Sequence, residues 1–199
     1  MLRLKKIAIT GGVASGKTSV CRYFQELGAF TVNADAIVHQ LLTHDVHLAQ
    51  KITEKFGSQV IQNGKMDRAF LAKKVFAHPE QLDWLEKQLH PMVLQEVEEL
   101  YSSACKSDSY SSFVVEVPLL FEAGWEPIFD VTIAVITDEK TCQERWEKAG
   151  MSPSSYNLRM QRQLPQSQKA SRSHFTIQNN GSLEELYKQV ELIHRKIIN

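Results

Sequence analysis

The residues Gly11-Gly12-Val13-Ala14-Ser15-Gly16-Lys17-Thr18 have the types and the spacing to hold a chain of phosphates. Glycine removes the Cβ that would keep the backbone away from an anion, so successive N–H groups can turn inward. Lys17 adds a point charge for the β- and γ-phosphates, and the Thr18 hydroxyl offers a ligand to Mg²⁺. The run fits G-x-x-x-x-G-K-[ST], the phosphate-binding P-loop, a pattern that has physical meaning only between a strand and a helix. Both flanks are present. Ile7-Ala8-Ile9-Thr10 precedes it as a buried strand, and Ser19-Val20-Cys21-Arg22-Tyr23-Phe24 continues it as a helix whose N-terminus faces the same phosphates. Gly12, Val13, Ala14, Ser15, Gly16, Lys17, Thr18 and Ser19 are therefore expected to bind a nucleoside triphosphate.

Two carboxylates sit where such a site would use them. Asp35 follows the run Thr31-Val32-Asn33, at the carboxyl end of a second strand. It is suited to accept a proton from an attacking hydroxyl, or to hold Mg²⁺ through water, or simply to N-cap the following helix. Glu116 ends the apolar run Phe113-Val114-Val115 in a Walker B-like arrangement, where a carboxylate orients Mg²⁺ and its waters. A carboxylate in so apolar a run requires a partner, because burying it unpaired is costly. Pro118 ends that strand, and Glu122 lies in the turn beyond it. From Lys140 to Arg172 seven basic residues stand against two acids, a local excess of five. Such a run is ordinarily a solvated face. In a P-loop protein it can also be a lid over ATP, whose arginines neutralise the transferring phosphoryl group and exclude water; Arg145 and Arg159 lead that reading.

The elements that must position these groups are legible. β-like runs lie at 6–10, 30–33, 113–117, 131–137 and 175–178, with helical periodicity between them, which gives α/β with a parallel sheet. The nearly eighty residues between the second and third runs exceed one crossover helix. The stretches from Gln50, from Arg68 to Phe76 and from Gln81 to Tyr101 read as helices, with His90-Pro91 as a break. This insertion is either padding or the seat of a second substrate. Ser152-Pro153 marks another helix start. Ser182-Leu183-Glu184-Glu185 is a capping box, followed by the apolar stripe Leu183, Leu186, Val190, Ile193 and Ile197.

Composition narrows the partners. Lys+Arg and Asp+Glu are both 23, so no bulk charge points to nucleic acid or an anionic membrane. Cys21, Cys105 and Cys142 are scattered and odd in number, as expected for reduced thiols of a cytoplasmic protein. Met1 to Lys6 is too short before the first strand for a signal peptide, and no run reaches membrane-spanning length. The seven histidines have no metal-ligand spacing, and Trp84, Trp125 and Trp146 read as packing residues.

Taken together, Ile-Thr-Gly-Gly-Val-Ala-Ser-Gly-Lys-Thr at 9–18, Asn-Ala-Asp at 33–35, Leu-His-Pro at 89–91, Val-Pro-Leu-Leu-Phe-Glu at 117–122 and Ile-Gln-Asn-Asn-Gly at 177–181 resemble the dephospho-CoA kinase family over nearly the whole chain. The resemblance implies a P-loop, nucleotide-kinase-like three-layer α/β fold. It would have a five-stranded parallel sheet, a helical acceptor-binding insertion at about 36–110 and a lid at about 140–172. It implies transfer of the ATP γ-phosphoryl group to the 3′-hydroxyl of the dephospho-CoA ribose with Mg²⁺, the last step of coenzyme A biosynthesis. The family's base then falls on Asp35, its lid arginines on Arg145 and Arg159, and its adenine-side loop on Asn179, Asn180 and Gly181. Asn33 replaces a usual aspartate, Lys148 stands at a common lid arginine, and His174 and Gln178 stand at family acids. Lysine cannot make arginine's bidentate fork to phosphate. Other small-molecule P-loop kinases would share loop and lid but lack Pro-Leu-Leu-Phe-Glu. A nucleotide-dependent switch would carry Asn-Lys-x-Asp, which this chain does not.

Overall fold

Valine, isoleucine and phenylalanine crowd into short runs, and these runs become the sheet. The structure is a computed structural model describing residues 3–198, so Met1 and Leu2 of the N-terminal stretch lie outside the described residues. In chain order the elements are β1 (Lys6–Gly11), α1 (Lys17–Glu26), β2 (Phe30–Asn33), α2 (Ala34–His44) and α3 (Val46–Phe56). Two short strands follow, β3 (Ile61–Gln62) and β4 (Lys65–Met66), then α4 (Arg68–Phe76), α5 (Pro79–Ala104) and β5 (Phe113–Glu116). The chain ends with β6 (Val131–Ile136), α6 (Glu139–Lys148), α7 (Pro153–Met160), α8 (Gln166–Arg172), β7 (Phe175–Gln178) and α9 (Leu183–Ile198).

Five strands pair in the order β2-β5-β1-β6-β7, all parallel. β1 is central and buried along its whole length, as a strand covered on both faces must be. The chain leaves β1 for the far edge at β2 and returns on the other side as β6. The crevice at the carboxyl end of β1 is therefore the place where such sheets bind ligands. Register puts Ile9 and Asn33 on either side of Glu116, and Gly11 beside Val135.

The chain forms two compact units, Met1–Asn33 with Ser103–Asn199, and Ala34–Ser102. In the first, α1 and α9 bury Val20, Phe24, Leu186 and Val190 against Ile7, Ile133 and Ile177 of the sheet. Ser182 and Glu185 exchange main-chain N–H bonds at 3.2 and 2.8 Å, so the capping box starts α9 as expected. Leu183, however, is 62% exposed and leaves the expected stripe, because the first helical residue faces out before the stripe turns inward. Ser152 caps α7 by accepting from Ser155 N.

The second unit has its own core of Leu48, Ile52, Phe56, Val60, Leu71, Val75, Leu85 and Leu89. Two expectations are corrected here. Pro91 does not break the helix: α5 runs through it as a single 26-residue helix. A proline costs an interior helix about 3 kcal/mol. Leu85, Leu89, Val93, Val97 and Tyr101 are all buried at four-residue spacing on both sides of it, and each such side chain contributes about 1.5–3 kcal/mol. The stripe outweighs the proline. Nor is the insertion all helical, because β3 and β4 form an antiparallel hairpin. Its two-residue turn, Asn63-Gly64, has φ of 52° and 73°, the left-handed pair that Asn-Gly favours. Among the described residues no helix is long and apolar enough to cross a membrane.

Candidate active site

The loop between β1 and α1 is held open by its glycines and gripped from outside. Gly11 has φ 148°, and a Cβ there would lie 2.2 Å from the main-chain oxygen of Val135 in the neighbouring strand. Gly16 has φ 94°, and its Cβ would lie 2.1 Å from Asn179 Nδ2. Any side chain at either position would displace the loop or its frame. Ala14 adopts φ 56°, a left-handed conformation that costs a non-glycine residue energy and that clusters at ligand sites. Gly16 caps α1 without a side-chain bond, and the helix's own first turn carries no acid, which leaves its N–H groups open to an anion. Lys17 Nζ arches over the loop, donating to Gly12 O at 2.6 Å and Gly11 O at 3.3 Å.

The frame that grips this loop comes from β6, α8 and the residues after β7. Ser15 O accepts from Asn179 Nδ2 at 2.8 Å and from Thr137 Oγ1 at 3.0 Å. Arg145 Nη2 donates to Asn179 O at 3.1 Å, while its Nη1 is buried with no hydrogen-bond partner among the described residues. The Gln166 amide spans Thr137, accepting from its N at 2.9 Å and donating to its O at 3.0 Å. The same side chain lies where a Cβ on Gly12 would come within 2.9 Å of it. Asn180 Oδ1 accepts from Asp138 N at 2.8 Å, and Gly181 leads into the capping box of α9. Thr137 and Gln166 were not singled out from the sequence. Thr137 had a signal, since it closes the β-like run at 131–137; Gln166 is one glutamine in a polar stretch and had none.

Register brings the metal candidates together. Thr18 Oγ1 lies 3.2 Å from each Glu116 carboxylate oxygen, and Asn33 Nδ2 donates to Oε2 at 3.2 Å. Glu116 is 6% exposed, and these neutral donors supply the partners that the apolar strand demanded. Hard oxygen ligands from a hydroxyl and a carboxylate suit Mg²⁺, and a loop whose glycine Cβ positions are already filled by its own frame suits a phosphate chain. The residues present fit both groups. Behind them burial, with Glu116 adding to it, pushes the Cys21 thiol pKa far up, so no thiolate adjoins the site.

The basic segment does not act as one piece. Val13 and Ala14 at the loop tip pack with Cys142, Trp146, Tyr156 and Met160 of α6 and α7. Arg159 is exposed on α7 and stacks 5.4 Å from the Trp146 ring centroid. Lys169, counted with the lid charges, is instead fully buried: Nζ pairs with Glu122 Oε1 at 2.9 Å and donates to Pro118 O at 2.6 Å. Burial draws its pKa down, against the hydrogen bond and charge of Glu122. Arg172 pairs with Glu126 and lies over the Phe121 ring at 4.4 Å. So α8 is an anchored wall, and Glu122 is its brace. Asp35 lies exposed in the first turn of α2, two residues beyond Asn33, and belongs to the other unit.

A phosphate-cradling loop after the central strand of a five-stranded parallel sheet, with a carboxylate at the end of the adjacent strand, defines the class. It is an α/β protein of the P-loop nucleotide-kinase type. A family profile described as dephospho-CoA kinase matches residues 5–185. The dephospho-CoA kinase of Protochlamydia amoebophila is 39% identical over 199 residues, spanning 99% of this chain and 98% of its own. A Thermus thermophilus protein of known crystal structure has a TM-score of 0.85 at 27% identity, with 100% of both chains covered. The Campylobacter jejuni dephospho-CoA kinase has a TM-score of 0.71 at 24% identity over 97% of this chain and 96% of its own, a likeness of fold. The chain belongs to the dephospho-CoA kinase family.

Proposed function

We propose that the protein transfers the γ-phosphoryl group of ATP to the 3′-hydroxyl of the dephospho-CoA ribose, giving CoA and ADP. The observation that carries the ATP half is the loop's frame, and the acceptor rests on membership of the dephospho-CoA kinase family. Lys17 arches over a cradle whose glycines admit no Cβ, and Thr18 stands 3.2 Å from both oxygens of Glu116. Loop amides from Gly12 to Ser19 and the Lys17 ammonium hold the β- and γ-phosphates. Arg145, with one buried nitrogen uncommitted among the described residues, neutralises charge as the phosphoryl group moves. Arg159 adds a second charge from α7. Asn179, Asn180 and Gly181 border the adenine side. Thr18 and Glu116 would hold Mg²⁺, which would supply positive charge to the phosphate oxygens. Asp35 takes the proton of the attacking hydroxyl. The free cysteines support a cytoplasmic, reducing location.

The deciding experiment is coupled ADP release with ATP and Mg²⁺ across dephospho-CoA, nucleosides, nucleoside monophosphates and water. Acceleration by dephospho-CoA alone is expected; turnover of another acceptor without it would sink the assignment.

A further inference from the structure

The unit Ala34–Ser102 carries two grooves that differ in charge. One, of about 440 Å³, lies between α2, the β3–β4 hairpin and the start of α4, and its polar rim includes His39, Thr43, Gln62, Lys65, Asp67 and Arg68. The other, of about 370 Å³, is lined by Ile37, Gln40, Leu41, His44, Asp45 and Glu96. Each has one aspartate committed to a helix end: Asp67 accepts from Phe70 N at 3.0 Å, and Asp45 accepts from Leu48 N at 2.7 Å. There the carboxylate charge is set against the helix dipole. Beyond those caps the first groove keeps two cations, Lys65 and Arg68, and no acid. The second keeps Glu96 and neither lysine nor arginine.

The first groove is also preset as a donor. The Arg68 guanidinium bonds His39 Nδ1. Arginine does not give up its proton, so Nδ1 is the acceptor and the imidazole keeps its hydrogen on Nε2. The rim then offers a guanidinium fork, an ammonium, an imidazole N–H and the Gln62 amide, while the Thr43 hydroxyl already donates to His39 O at 2.7 Å. Arginine's planar fork matches two phosphate oxygens, and lysine adds a point charge. Negative charge spread over adjoining phosphates is the ligand chemistry that such a set of cationic and N–H donors favours.

We propose that this groove binds the diphosphate linkage of the acceptor, a phosphoanhydride whose recognition here rests on the acceptor proposed above. The test uses Lys65→Gln with Arg68→Gln, both at exposed positions, after a melting curve matching the parent shows an intact fold. With the P-loop filled by a saturating non-hydrolysable ATP analogue and Mg²⁺, calorimetry follows inorganic diphosphate. The parent binds, and the double variant binds about tenfold or more weakly, as expected for lost charge-assisted bonds; equal binding by the two overturns the groove. In turnover, the double variant raises the KM for dephospho-CoA about tenfold or more, with kcat and the KM for ATP within about twofold. Arg68→Lys falls between, and Glu96→Gln in the other groove leaves the acceptor KM unchanged. An unchanged acceptor KM, or a KM for ATP that rises as much, overturns the assignment to the acceptor. Should the parent show no turnover with dephospho-CoA, the proposed reaction fails on its own, and the diphosphate titration still decides the groove.

Discussion

Around residues 11–18 a loop of backbone is clamped by side chains from Thr137, Gln166 and Asn179, whereas the larger groove of Ala34–Ser102 is rimmed by exposed side chains, among them His39, Lys65 and Arg68. The first arrangement leaves no room for one extra carbon at Gly11 or Gly16. The second would accept many substitutions without a clash. The contrast follows from the ligands each suits. A triphosphate presents the same oxygens whatever its base, so a rigid array of N–H groups serves it. An acceptor is told apart by its particular groups, and side chains do that.

The largest expected effect belongs to neither arrangement. Asp35→Asn should lower kcat about 10²- to 10⁴-fold, the usual weight of a general base, while calorimetry with an ATP analogue finds nucleotide affinity within about twofold. A kcat near that of the parent would reduce Asp35 to a helix-end charge. Next comes the wall behind the loop. Lys169→Met leaves Glu122 with the Leu164 N–H, at 2.7 Å, but without its cation. Removing one partner of a buried pair costs about 3 kcal/mol, readable as a lowered urea midpoint; a midpoint unmoved would mean that α8 is not braced there. Gln166→Leu should then act on one substrate only. Losing two bonds to Thr137 raises the KM for ATP about five- to tenfold, at about 1 kcal/mol net, and leaves the acceptor KM alone. That is the reverse of the pattern expected for Lys65 and Arg68, and equal shifts in both constants would erase the contrast.

The smallest effect reaches both units through pH. Burial lowers the His194 pKa in the first unit, where Ser111 Oγ lies 3.2 Å from Nε2 and the Phe24 ring packs on the imidazole. Burial also lowers that of His90 in the second, against Glu86. With the folded pKa below the unfolded value near 6.5, the unfolded chain binds more protons in the interval between them. Stability is thus full above about pH 6.5 and is lost as pH falls through the lowered folded values. His194→Gln should flatten part of that acid slope in melting curves from pH 8 to 5; an unaltered slope would remove His194 as a source.

How far the sequence reaches depends on how local each signal is. The P-loop was legible because eight consecutive residues carry its whole geometry, and the strands because β-branched runs need no distant information. Asn63-Gly64 carries a hairpin signal, but its flanking strands of two residues each are too short to show the alternation that marks strands. Pro91 misled, since its local penalty is visible in the sequence and the burial that outweighs it is not. Lys169 was counted as a lid charge because a string of letters cannot show that Glu122 waits for it. The frame of the loop was the least legible part. That Gly11 must be glycine because Val135 O is there, or that Gln166 matters through Thr137, follows from strand register and helix placement that only the folded chain reveals.

The tip of the loop has one more consequence. Cys142 sits beneath Val13 with no exposed surface, and burial raises its thiol pKa. An alkylating reagent can reach that sulfur only in the fraction of molecules whose α6 and α7 have lifted away from the loop. Because a raised pKa makes alkylation slow beside reclosing, its labelling rate reads the population of open molecules, at the tip of the loop proposed to hold ATP.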